Sequence, residues 1–232
     1  MTAIASTVLS AVLLLFGTGL DPLPWLTWLA PLPVLWLAPR TDGRTAFAAA
    51  SLAWFGGQGR MWSYYAGALE MPLPAAATII IGTALLFGLV ALAFRRLLLR
   101  GFPLTAAATL PGCWAVVEYV QSVALPHGAW LSLAYTQADV LPVLQTASVT
   151  GVWGITFLIL GVPSVLAAAT APGDTGQWRI LLAGALVLVV PLAFGTWRLR
   201  QPHGPSSAGV ALVGTDRPND VIDVATPEGR DL

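Results

Sequence analysis

The chain has 232 residues, 56% of them hydrophobic and only 9% charged, with eleven basic and eleven acidic side chains. Soluble domains carry about 25% charged residues, so this composition, with a mean hydropathy of +0.76, excludes an ordinary soluble enzyme and fits a chain that lives in a bilayer. A net charge of zero offers no basic field to nucleic acid, and a single cysteine, Cys113, allows no intrachain disulfide.

Residues 3–20 are apolar, with no basic stretch before them and no small-residue cleavage site ahead of Asp21-Pro22. They read as a first transmembrane helix, not a removed leader. At 1.5 Å per residue the segment is about 27 Å long, close to the roughly 30 Å of bilayer hydrocarbon. Residues 23–38 are apolar but contain Pro24, Pro31 and Pro33, which predicts a short, kinked second span. A charged turn follows at 39–44. The third predicted span, 45–69, has the unusual centre GGQGRMWSYY at 56–65. Its small residues allow close helix approach, and Arg60 lies near a membrane boundary or snorkels to it. Residues 74–94 form an uninterrupted fourth span ended by Arg95, Arg96 and Arg100. The fifth, 103–125, holds Glu118; the sixth is 149–170 and the seventh 180–197. The expected fold is an all-α polytopic membrane protein with about seven transmembrane helices in residues 1–200.

Arginine placement gives an orientation. Arg40, Arg44, Arg95, Arg96, Arg100 and Arg179 fall in the second, fourth and sixth loops, and none falls in the first, third or fifth. The positive-inside rule then puts the N-terminus in the cytoplasm and the loop at 127–139 and the C-terminal tail outside. Arg198 and Arg200, after the seventh span, run against that majority.

The tail differs in character. Residues 201–208 read as a linker. Val210-Ala211-Leu212-Val213 then runs into Gly214-Thr215-Asp216, and five of the eleven acidic residues lie from Asp216 onward. Two readings stand: a short strand-like soluble segment that needs partner strands, or a disordered polar tail.

Few residues carry recognisable chemistry. Glu118 is a carboxylate in mid-span, costly to bury, so it either lines a cavity and touches a ligand or makes structural hydrogen bonds across helices. Paired carboxylates for acid/base work are not visible. His127 and His203 are isolated, so no metal site is expected. Cys113, in an apolar helix, reads as a packing residue. Most of the ten tryptophans, including Trp25, Trp28, Trp36 and Trp197, suit interfacial anchoring. Trp130 could anchor likewise or pack a lipid chain or lid beside the Tyr135–Asp139 run.

Several segments taken together resemble the membrane domain of the apolipoprotein N-acyltransferase family. These are LAPLPVLW at 29–36, WFGG at 54–57 with WSYY at 62–65, the helix carrying Pro111, Trp114 and Glu118, the loop GAW at 128–130 with AYTQ at 134–137, and Gln145 followed by TGVWGITFL at 150–158. The resemblance covers roughly residues 20–216. It implies transfer of an acyl chain from a membrane phospholipid to the N-terminal amine of a lipoprotein, at the outer face of the bacterial inner membrane, without metal or other cofactor. It implies eight helices and an inserted nitrilase-like domain supplying a Glu, a Lys and a nucleophilic Cys. Residues 209–232 then read as the start of such a domain, incomplete here. The sequence has no lysine, its one cysteine lies in a membrane helix, and no catalytic residue can be assigned. Glu118, Trp130, Tyr135 and Gln137 are the candidate lipid or substrate contacts. His127-Gly128 replaces the family's Phe-Pro in that loop. The competing expectation is a complete, non-enzymatic membrane scaffold or a small permease, although no inverted repeat relates the two halves.

Overall fold

The computed structural model describes residues 2–124, 128–130, 132–173 and 176–201, and every regular element among them is helical. Helix α1 (Ala3–Gly17) starts at Thr2, whose hydroxyl oxygen accepts the Ala5 N–H. The expected second span is instead two short helices, α2 (Pro24–Thr27) and α3 (Leu32–Leu37), neither long enough to cross a bilayer. The prolines explain this. Pro24 and Pro33 both sit in the first turn of a helix, where a missing N–H costs nothing. Helix α3 is largely buried and packs against α1 and α9.

The third span is likewise segmented into α4 (Gly43–Gly57), α5 (Gly59–Ser63) and a π-helical turn, Tyr64–Ala68. The break falls at Gln58, between two glycines. On α4 the small residues do what their spacing suggests. Gly56 faces Ala11 and Gly57 faces Leu14 of α1, so a side chain at either would push the helices apart. Helix α6 (Leu73–Leu99) is unbroken. Helix α7 (Pro103–Ala124) carries Pro111 and Glu118. A 3₁₀ turn, Leu133–Gln137, leads to α8 (Leu141–Leu144), then α9 (Ala147–Ala169) and α10 (Gln177–Leu199). Three of these helices, α6, α9 and α10, are long and apolar enough to cross a membrane. Together the helices form one unit, Met1–Arg200. The linker from 202 onward, the run Val210–Val213, His127 and His203 lie outside the described residues.

Trp54 of α4, Phe87 of α6 and Trp114 of α7 pack at the centre, with Trp54 4.9 Å from Phe87 and 4.3 Å from Trp114 between ring centroids. These tryptophans belong to the core, unlike exposed Trp25, Trp178 and Trp197. Cys113 lies on the exposed face of α7 and does not pack inside.

The two ends of the bundle are closed differently. At one end Arg95 donates twice to the Thr41 carbonyl (3.0 and 2.8 Å), and Arg40 donates to the carbonyls of Trp36 and Thr170 while stacking on the Trp36 ring. The turn at 40–44, the end of α6 and the end of α9 are thereby gathered on one face. At the other end the 3₁₀ turn is drawn into the bundle by side chains from α2 and α7.

Candidate functional site

Glu118 lies two turns from the end of α7 and is 4% exposed. Its carboxylate reaches across to the start of the 3₁₀ turn. One oxygen, Oε1, accepts the Leu133 N–H at 2.8 Å. The other, Oε2, accepts the Ser132 and Thr156 hydroxyls, both at 2.7 Å. Ser132 in turn accepts the Ala134 N–H and so caps the turn. One carboxylate therefore ties α7, α9 and the loop together, and it satisfies a buried backbone N–H that would otherwise be orphaned.

Gln137 works in the same way from the far end of the turn. It is fully buried; its Oε1 accepts the Trp28 Nε1–H at 2.9 Å, and its Nε2 donates to the Pro24 carbonyl and Thr136 Oγ1, both at 3.0 Å. Trp28 is thus a hydrogen-bonded strut between α2 and the loop.

The turn fastened in this way forms one wall of a cavity of about 270 Å³. Trp54 and Trp114 line its floor, and Glu118 and Leu133 its wall. Residues 18–20 and Pro22 after α1, with Tyr64, Tyr65, Trp130 and Tyr135, line the rest. Trp130 packs its ring 6.2 Å from Tyr64 and 6.0 Å, edge-on, from Tyr65. Tyr135 is half exposed.

Of the four residues singled out from the sequence, Glu118, Trp130 and Tyr135 thus meet at one cavity. Gln137 is engaged in the wall behind it. The sequence reading missed Ser132 and Thr156, which hold Glu118. It also missed Gln58 and Gln121, which supply polar side chains to the cavity. Gln121 was findable, because it lies one turn from Glu118 on the same helix face. Gln58 was marked by the glycines around it. Nothing local marked Ser132 or Thr156 as partners. Among the described residues Glu118 is the only carboxylate lining the cavity, and none of them pairs with it as a second acid or base. The site offers an aromatic chamber with amide and phenol groups. Among the described residues no three His, Cys, Asp or Glu side chains come together to hold a metal.

The fold and the cavity define a helical membrane domain in which a buried acid fastens the loop that walls a cavity of about 270 Å³. Residues 10–165 match the sequence profile of the apolipoprotein N-acyltransferase N-terminal domain, and the chain belongs to that family. It is 32% identical over 227 residues to the apolipoprotein N-acyltransferase of Geobacter metallireducens, covering 89% of this chain and 42% of that protein. It is 32% identical over 143 residues to the one from Bradyrhizobium diazoefficiens (60% and 25%), and 30% identical over 209 residues to the one from Bordetella bronchiseptica (78% and 37%). The chain spans less than half the length of these curated relatives. The apolar helices and these bacterial relatives together make it a bacterial membrane protein.

Proposed function

We propose that this chain is the membrane portion of an apolipoprotein N-acyltransferase, holding the acyl donor and the lipoprotein acceptor for chemistry done by a nitrilase-like domain beyond these residues. The observation that carries the reading is the chamber beside Glu118. It is built from the same Trp114–Glu118, Trp130 and Tyr135 segments that carry the family resemblance, and it is lined by aromatics suited to an acyl chain. In the reaction the family implies, a cysteine thiolate attacks the phospholipid ester carbonyl, forming a thioester and releasing the lysophospholipid alkoxide, which takes up a proton. The acceptor amine then attacks the thioester, giving the amide and freeing the thiol. Neither step is assigned to a residue of this chain. Glu118 positions the loop, Gln137 braces it, and Trp130 and Tyr135 contact lipid.

The same reading extends to topology. About seven spans are formed, with the segmented 23–38 region counted as a short re-entrant or kinked span. The arginine-rich end faces the cytoplasm and the chamber faces outward at the inner membrane. The gathering of Arg40 and Arg95 at one end supports a single charged face. Residues 1–200 are the membrane domain, 201–208 the linker, and 209–232 the beginning of the catalytic domain.

The test is acyl transfer by the full-length protein carrying Trp130→Ala. A drop of roughly tenfold or more, about 1.4 kcal/mol of transition-state stabilisation, is expected with the fold intact. Wild-type rates in both this variant and Tyr135→Ala would sink the assignment. A blot of the native product tagged at Met1 is expected to show a band far heavier than 24.3 kDa.

A further inference from the structure

The chamber beside Glu118 keeps polar groups that the fastening of the loop does not use. Tyr65 lines it and is 2% exposed, yet among the described residues its hydroxyl has no hydrogen-bond partner. Unlike the sealed hydroxyls of Ser6 and Ser51, it retains accessible surface, so a ligand in the chamber can reach it. The side-chain amides of Gln58 and Gln121, half-buried in the same lining, are also without partners among the described residues. All three groups both donate and accept. Tyr64 and Tyr65 are brought to the chamber side by side by the π-helical turn, a feature frequent at functional sites. The rings of Tyr64, Tyr65 and Trp130 form a triangle with centroids 5.9, 6.2 and 6.0 Å apart.

Charge narrows the ligand. None of the described lining residues is basic. The one carboxylate, Glu118, has only neutral partners, the Leu133 N–H and the Ser132 and Thr156 hydroxyls, with the Trp114 indole beside it. Arg60, between Gln58 and Met61 in sequence, is exposed and outside the lining. A phosphate in the chamber would therefore meet a carboxylate and no cation. An ammonium is favoured instead, by Glu118 and by aromatic faces within about 6 Å. The unpaired carboxamides match a peptide amide, which both donates and accepts, and not a phosphate diester, which only accepts. At about 270 Å³ the cavity is near the low end of small-ligand pockets, roughly 300 Å³, so it admits the end of a chain and not a length of one.

We infer that the chamber binds the amino terminus of a polypeptide. The terminal ammonium lies among Tyr64, Tyr65 and Trp130 in the field of Glu118, and the first peptide amide pairs with Gln58 and Gln121. This deepens the acyltransferase reading and rests on it for the identity of the acceptor. The polar side of the chamber takes the lipoprotein's amine, and the floor at Trp54 and Trp114 is left to an acyl chain.

The probe is a fluorescent lipopeptide with one acyl chain on its first side chain and a free N-terminal amine, compared with its N-acetylated twin. Binding to the full-length protein in mild detergent is read by anisotropy. Wild type is expected to bind the free-amine form about tenfold or more tightly than the twin. Tyr65→Phe should narrow that preference roughly three- to tenfold, and Gln121→Leu should weaken both forms alike by a similar factor. Neither group bonds to the protein, so melting temperatures should stay within a few degrees; if Gln121→Leu does not fold, Gln58→Leu replaces it. Equal affinity of wild type for the two forms, or wild-type binding in both variants, overturns the proposal. So does phosphatidylethanolamine displacing the probe as well as unlabelled free-amine lipopeptide, which would give the chamber to a lipid headgroup. Acyl transfer is measured on the same preparations. Transfer by wild type with an unchanged acceptor KM in Tyr65→Phe overturns the site and leaves the acyltransferase reading standing. Selective binding of the free amine without any transfer supports the site and sinks that reading.

Discussion

The arginine end and the chamber end of the bundle solve one problem, joining helix termini, by opposite means. At the arginine end long cationic side chains reach outward from helix ends and donate to carbonyls of neighbouring turns, as Arg95 does to Thr41 and Arg40 to Trp36 and Thr170. These contacts lie at the surface or half-buried, where water competes and each is worth little. At the chamber end the fasteners are buried. Glu118 and Gln137, 4% and 0% exposed, each make three hydrogen bonds, Glu118 to Ser132, Leu133 and Thr156 of α9, and Gln137 to Trp28, the Pro24 carbonyl and its neighbour Thr136. The difference teaches where rigidity is needed. One end has only to hold together, whereas the other must hold a loop open over a cavity.

The largest break in this contrast is Glu118→Ala. It strips an acceptor from the Leu133 N–H and from two hydroxyls at once. Buried orphaned donors cost roughly 1–3 kcal/mol each, although interhelical bonds in membranes average nearer 0.6 kcal/mol. A loss of about 2–4 kcal/mol is expected in unfolding of the full-length protein in detergent. Glu118→Gln should recover most of it, since an amide oxygen can still take the Leu133 N–H while the hydroxyls turn to accept from the amide nitrogen. If Gln is as damaging as Ala, the carboxylate does more than brace the loop.

Gln137→Leu comes next. It severs Trp28 and Pro24 from the 3₁₀ turn, and about 1–3 kcal/mol is expected. The change should loosen the 133–137 turn selectively, seen as faster amide exchange there than in α6. Uniform exchange across the protein would show that the turn is not held separately. At the opposite end, Arg95→Met should cost under about 1 kcal/mol. A loss as large as that of Glu118→Ala would erase the contrast between the ends.

What the sequence disclosed follows the same division. The arginine end was legible because charge at a membrane boundary is a one-dimensional signal: Arg40, Arg44, Arg95 and Arg96 announce a shared face before any contact is known. Glu118 was legible because a carboxylate in the middle of an apolar stretch is rare. The partners of Glu118 were not, because Ser132 and Thr156 lie 14 and 38 residues away and are ordinary residues with no periodicity to expose them. The segmented second and third spans were half legible. Pro24, Pro31, Pro33 and the glycines around Gln58 forecast disruption, but not that α2 would serve Gln137 or that Gly57 would seat Leu14. Gln137, read as a lipid contact, shows the general difficulty: a polar residue in an outer loop looks the same on paper whether it faces a ligand or a backbone carbonyl.

The smallest effect concerns pH at the arginine end. Asp42 caps α4, and its carboxyl is held below the ordinary carboxylate range. The Thr45 hydroxyl at 2.6 Å is the largest cause, with the backbone N–H groups of Thr45 and Arg44 adding to it. A depressed folded-state value means the ionised form favours the fold. Its contribution is complete above the unfolded value of about 3.9 and fades as pH falls through the lower folded one. Because the group is fully exposed, the shift in midpoint between pH 6 and pH 3 should be slight. Asp42→Asn keeps an oxygen for the cap but cannot ionise, so it should lose the part of the wild-type shift between pH 6 and pH 3 that comes from Asp42, as read by melting at both pH values. An unchanged acid sensitivity in Asp42→Asn would move its origin to other carboxylates.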